Sequence, residues 1–132
     1  MTARTLVSSG SHMEPVVGFS RAVRVGDHVA IGGTAAIGPG GTCVGEGDAA
    51  AQARQILRIA EAALGEAGAS LGDVTRTRII LTDIADWPAV AEVHAEAFAE
   101  VRPATTIMGT TAFADSRRLV EIEFDAVVHD PG

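Results

Sequence analysis

Apolar and polar positions alternate along this chain with two different periods, and the switches between them lay out its elements. Residues 4–8 predict a short first strand, after which Gly10, Ser11 and Pro15 predict a loop. From 19 to 25 the period is two, with Phe19, Arg21, Val23 and Val25 on one side and Ser20, Ala22 and Arg24 on the other. Gly26 and Asp27 supply a turn before 28–37, so the two runs read as a hairpin. Glycines crowd 38–47, a loop expected at a pocket edge. Asp48 is placed to cap a helix in which Ala53, Ile56, Ala60, Ala63, Leu64 and Ala67 recur at helical spacing until Gly68 stops the run. Arg54, Arg58, Glu61 and Glu66 fall outside that stripe. Val74, Ile79, Ile80 and Leu81 predict a buried strand over 73–82. A second helix begins at Asp86, with Pro88 in its first turn, Trp87 packing at its entry and Val90, Val93, His94, Ala97 and Phe98 as its apolar stripe. Pro103 separates it from a strand over 104–111, and a last strand runs over 119–128.

This order of two or three strands, helix, strand, helix and two strands describes one α+β domain over residues 1–132, a mixed sheet with two helices packed on one face. The opposite face of a sheet rich in Ala, Val and Ile then needs cover. A chain of 132 residues can bury one core but has no room for a separate cofactor domain.

Composition narrows the chemistry. With 47% hydrophobic and only 4% aromatic residues, the core must be built from small aliphatic side chains. A net charge of -7 and the absence of lysine oppose broad binding to nucleic acid, whose affinity comes chiefly from neutralised phosphates. Cys43 is the single cysteine, which rules out an intramolecular disulfide, and nothing beside it in sequence would activate its thiol. His12, His28, His94 and His129 lack metal-ligand spacing, so no metal is expected. His94, on the apolar stripe, is expected to be a satisfied core or interface residue. The 38–47 loop lacks the Gly-Lys-Ser/Thr of a phosphate cradle. No run is apolar enough for a membrane span and no secretory leader is visible; a soluble cytoplasmic protein is expected.

Glu121 and Glu123 share one face of the last strand, with Ile122 and Phe124 on the other. Two carboxylates on one face suit acid–base work, and they equally suit arginine pairs across a sheet. The pattern alone leaves both open.

Arg102-Pro103-Ala104-Thr105-Thr106-Ile107-Met108 and Leu119-Val120-Glu121-Ile122-Glu123, with the segments starting at Gly18, Gly32, Ala51 and Leu81, together resemble the Rid (YjgF) family. The resemblance implies a chorismate-mutase-like, ferredoxin-like subunit, a homotrimer with clefts between subunits, and hydrolysis of reactive enamines or imines without metal or organic cofactor. It aligns Glu121 with the family's water-positioning glutamate. Thr105 stands where the family carries the arginine that grips a ligand carboxylate, and Ile107 is also an altered site position. Phe19 matches an aromatic pocket position, often tyrosine; this chain has no tyrosine, so a phenolic donor is excluded. Ser20 and Gly33 match positions near the pocket, where hairpin geometry would account for them equally well. Thr34 replaces a frequent glutamine. The expected ligand is a small neutral or weakly polar imine, enamine or carbonyl compound. Arg102, Arg117 and Arg118 either reach the site by another route or serve the surface. A non-catalytic ligand binder or pathway partner is the alternative, and an endoribonuclease is disfavoured by the charge.

Overall fold

The computed structural model describes residues 3–130. Six strands form one sheet in the order β1-β2-β3-β6-β4-β5. They are β1 (Arg4–Val7), β2 (Ala22–Val25), β3 (His28–Thr34), β4 (Val74–Leu81), β5 (Ala104–Gly109) and β6 (Val120–Val127). Neighbours are antiparallel except β4 and β5. Parallel partners need a crossover, and the helix α3 (Trp87–Phe98) supplies it. The other long helix is α2 (Ala49–Glu66).

Strand β6 shows why the helices lie on one side. Val120, Ile122, Phe124 and Ala126 are buried while Glu121, Glu123, Asp125 and Val127 are half-buried, an alternation that fixes two faces. Ile56, Ala60 and Leu64 of α2 and Val90, Val93 and Phe98 of α3 complete the core with them. The Phe98 and Phe124 rings sit 6.5 Å apart. Each fully buried aliphatic side chain here is worth roughly 1.5–3 kcal/mol relative to exposure. Asp48 caps α2 by accepting from the Ala51 N–H, and Arg24 on β2 donates to the Ala67 carbonyl at its far end, 2.8 Å away.

Several expectations are corrected. Residues 13–17, inside a stretch expected to open as loop, form a short helix α1 (Met13–Val17), because Pro15 sits in a first turn that needs no N–H from it. The hairpin strands are shorter than the alternation suggests. Between Ile31 and Thr34 the β3–β6 register slips by one residue, a bulge at Gly32 and Gly33 that ends regular pairing. Strand β4 is buried on one side only. Arg76 and Arg78 point to the open face, where Arg78 pairs with Glu123 at 3.1 Å and Arg76 with Asp125 at 3.7 Å. That face is therefore a ladder of charges bordered by apolar residues, not a plain aliphatic surface. Trp87 stays 49% exposed at the start of α3.

Candidate functional site

The bulge in β3 leaves the carbonyls of Gly32 and Gly33 without regular ladder partners, and Arg21 supplies them. Its Nη1 donates to Gly32 O, to Gly33 O at 2.7 Å and to Thr34 Oγ1, while Nε donates to Ser9 Oγ. The guanidinium lies 5.4 Å from the centre of the Phe19 ring. Only 6% of Arg21 is exposed, and burial lowers its pKa against the pull of Glu14 and Glu121. Glu14 is held on the far side of Ser9 by the N–H groups of Ser9 and Ser11.

Glu121 stands over the same bulge. A Cβ on Gly33 would lie 2.7 Å from its Oε1, so bare backbone is what lets the carboxylate rest there. Its side chain is 17% exposed and meets Arg118 Nη1 at 3.5 Å. Burial raises the Glu121 pKa; Arg118 and Arg21 oppose this and Glu123 adds to it. The result is a carboxylate with a proton affinity above that of a free glutamate.

Arg118 is placed by a side chain in α2. Gln52, wholly buried, donates from Nε2 to Gly45 O and to Arg117 O at 3.0 Å, and accepts from the Leu119 N–H at 2.8 Å. One amide thus clamps the glycine-rich loop and both backbone neighbours of Arg118. Arg117 is committed to Asp115 through Nε and Nη2, and that pairing holds the Asp115 carboxyl well below the usual range.

Beside these residues a cleft of about 700 Å³ runs between residues 9–12, the 35–43 loop and the 115–118 turn. Arg21, Thr34 and Arg118 line it, with Gln55 and Cys43. Burial raises the Cys43 pKa, so its thiol is not activated. Among the described residues no group of His, Cys, Asp and Glu is arranged to hold a metal.

Residues 9–128 match the model of the Endoribonuclease L-PSP family. The chain belongs to this family, also known as YjgF or Rid. An uncharacterized protein of Streptomyces coelicolor, SCO2049, is 42% identical over 120 residues, covering 91% of this chain and 89% of that one. The 3-aminoacrylate deaminase RutC of Acinetobacter baylyi is 40% identical over 90 residues, covering 68% of this chain and 71% of its own. Among solved structures, Rv2704 of Mycobacterium tuberculosis, described as a YjgF/YER057c/UK114 family member, superposes with a TM-score of 0.86 at 52% identity, covering 96% of this chain and all of that one.

Against the site implied by Rid resemblance, the structure gathers some residues and separates others. Phe19, Gly33, Thr34 and Glu121 meet around Arg21 and the bulge. Ser20 precedes β2 and is half-buried. Thr105 and Ile107 do not join them within one chain. Register pairs Thr105 with Thr77 and Thr77 with Phe124, which places Thr105 and Ile107 on the helix side, whereas Glu121 is on the open side. Thr105 is moreover spoken for. Its hydroxyl donates to Pro103 O at 3.1 Å and so accepts from Thr77 Oγ1 at 2.9 Å, which leaves Thr77 to accept from His94 Nε2 at 2.9 Å. Burial lowers the His94 pKa, consistent with a neutral ring in this chain of bonds. Thr34 Oγ1 likewise donates to Gly32 O. Arg102 is exposed, while Arg118 reaches Glu121. Sequence reasoning missed Arg21 and Gln52: Arg21 reads as one more residue of an alternating strand, and only the bulge reveals what it holds.

Proposed function

We propose that this protein is an enamine or imine hydrolase of the deaminase type, working as a cytoplasmic homotrimer with its site completed at a cleft between subunits. The observation that carries this reading is Glu121, a half-buried carboxylate of raised pKa resting over the bare Gly33 backbone and held by Arg118. The deaminase activity printed for the RutC relative supports the reaction class. Glu121 orients a water beside the substrate C=N carbon, takes its proton as the C–O bond forms and passes it to the nitrogen, giving a carbinolamine; a second transfer through Glu121, from the new hydroxyl to the nitrogen, accompanies C–N cleavage, so ammonia leaves and a carbonyl remains. Phe19 and Ser20 shape the apolar and polar sides of the ligand, and no metal or organic cofactor enters the reaction. Support for the trimer is the open sheet face, which no element covers among the described residues, and the placement of Thr105 and Ile107 on a free edge strand where a neighbouring subunit's Glu121 could be met.

The test is ammonia release from freshly generated 2-iminopropanoate and 3-aminoacrylate, with RNA degradation assayed in parallel. Glu121→Gln should keep the assembly and lower turnover about a hundredfold or more. Equal turnover would remove the carboxylate from the mechanism. RNA cleavage without ammonia release would favour a nuclease, and ligand binding without either would favour a non-catalytic binder.

A further inference from the structure

The family's arginine is absent at position 105 and the Thr105 hydroxyl is committed inward, yet the cleft is not short of cations. Of its lining side chains three are arginines and one, Asp115, is a carboxylate. Asp115 is taken by Arg117 through three contacts. The other two guanidiniums keep donors free. Arg21 uses Nε and Nη1 on Ser9 and the bulge, and among the described residues no carboxylate comes within 4.0 Å of it. Among the described residues its Nη2 has no hydrogen-bond partner, and no fully enclosed side-chain nitrogen or oxygen is left unpartnered. Nη2 therefore reaches accessible space, and Arg21 is one of the side chains that line the cleft. Arg118 has a single contact with Glu121 at 3.5 Å and donates no shorter side-chain hydrogen bond among the described residues.

We propose that Arg21 and Arg118 together form an anion site where both line this cleft, and that it takes the carboxylate of a small monocarboxylic ligand in place of an arginine at position 105. Two guanidiniums facing one cleft repel each other, and a ligand carboxylate between them relieves that repulsion while gaining charge-assisted hydrogen bonds. Arg21 is fixed by the bulge and the Phe19 ring, so little side-chain freedom is lost on binding. Arg118 carries the second role of joining the anion to Glu121: it touches the carboxylate that orients water and faces the same cleft. This inference rests on the hydrolase reading for the identity of the reacting group, but the anion site stands or falls by binding alone. It also changes the expected ligand, from neutral or weakly polar to anionic.

The experiment is calorimetric titration of the intact protein with pyruvate and with its neutral isostere pyruvamide. Pyruvate should bind, pyruvamide at least about tenfold more weakly, and the difference should shrink as salt screens the charge. Arg118→Gln, at a half-buried position outside the core, should weaken pyruvate about tenfold or more and leave pyruvamide unchanged. Arg21→Gln should do the same if it folds; because Arg21 also satisfies bulge carbonyls, Arg118→Gln decides the matter should it not. No pyruvate binding, equal affinity for the two compounds, or unchanged pyruvate affinity in Arg118→Gln overturns the proposal, as does loss of binding in Thr105→Val with Arg118→Gln unaffected. Pyruvate binding that persists while ammonia release is absent would instead overturn the hydrolase reading and leave the anion site standing.

Discussion

Gly33 matters less for its own conformation than for what it leaves out. Its missing Cβ is the space the Glu121 carboxylate occupies, so Gly33→Ala should push that carboxylate off the bulge while costing the fold less than about 1 kcal/mol, since only a side-chain end must move. Ammonia release should fall roughly tenfold or more with the melting temperature little changed; comparing the two measurements separates displacement from unfolding. Glu121 also gives a pH signature. Its folded pKa lies above the unfolded value, so the folded state binds the extra proton, and the stabilisation it contributes is full below the unfolded pKa and lost as pH rises through the folded one. Glu121→Gln, which cannot ionise, should therefore gain thermal stability relative to the parent once pH exceeds the unfolded glutamate value of about 4.3, the difference widening as pH rises toward the folded pKa. A difference that narrows with rising pH would mean that the Arg118 pairing outweighs burial. The face that Glu121 takes was legible from the alternation of its strand. The engagement of Thr105 was not, because which side of β5 faces the helices depends on its register with β4, and two short runs of sequence do not specify their register.

At the scale of elements, the same period of two that predicted β6 also predicts its energetics. Ile122 is wholly buried and its neighbour Glu123 is on the open face with Arg78, so Ile122→Ala should cost about 2–5 kcal/mol and Glu123→Ala less than about 1 kcal/mol in urea unfolding. Helix α2 was equally readable, because Ala53, Ile56, Ala60, Ala63, Leu64 and Ala67 are all buried as their spacing requires. What it hid was Gln52, a polar residue adjoining that stripe whose partners lie about seventy residues away or in a loop of no regular pattern. Gln52→Leu removes the acceptor of the Leu119 N–H and one donor each from Gly45 O, which keeps the Asp48 N–H, and Arg117 O, which keeps the Cys43 thiol. An unmatched buried N–H costs roughly 1–3 kcal/mol and the two lost donors add to it, so a loss of about 3 kcal/mol is expected, together with weaker pyruvate binding through a displaced Arg118. A stability loss with unchanged binding would confine Gln52 to the fold. The bulge escaped notice for a related reason: Gly32-Gly33 within an alternating run marks irregularity, but the arginine that repairs it lies on a different strand's approach, eleven residues earlier.

For the whole molecule the open sheet face poses the remaining question, and its make-up differs from the aliphatic surface the composition suggests. Arg76, Arg78, Glu123 and Asp125 form a paired ladder across β4 and β6, while Met108 on β5, Val25 on β2 and Leu6 on β1 remain 38%, 40% and 60% exposed. Charges already neutralised within a subunit can be buried between subunits at less cost than free ones, and the apolar residues around them then gain cover. If this face is where three copies meet, light scattering should give three times the 13.5 kDa chain mass at micromolar concentration. Met108→Asp should dissociate that assembly, because register with Ile80 and Glu121 puts residue 108 on the open face, where a new carboxylate beside Glu121 would have to be desolvated between subunits. Arg58→Asp, the same kind of charge change on the exposed side of α2, should leave the mass unchanged. A parent protein that runs as a monomer would remove the shared cleft, and with it the contribution of Thr105 and Ile107 to any ligand site, while leaving Arg21, Arg118 and Glu121 together in the single chain.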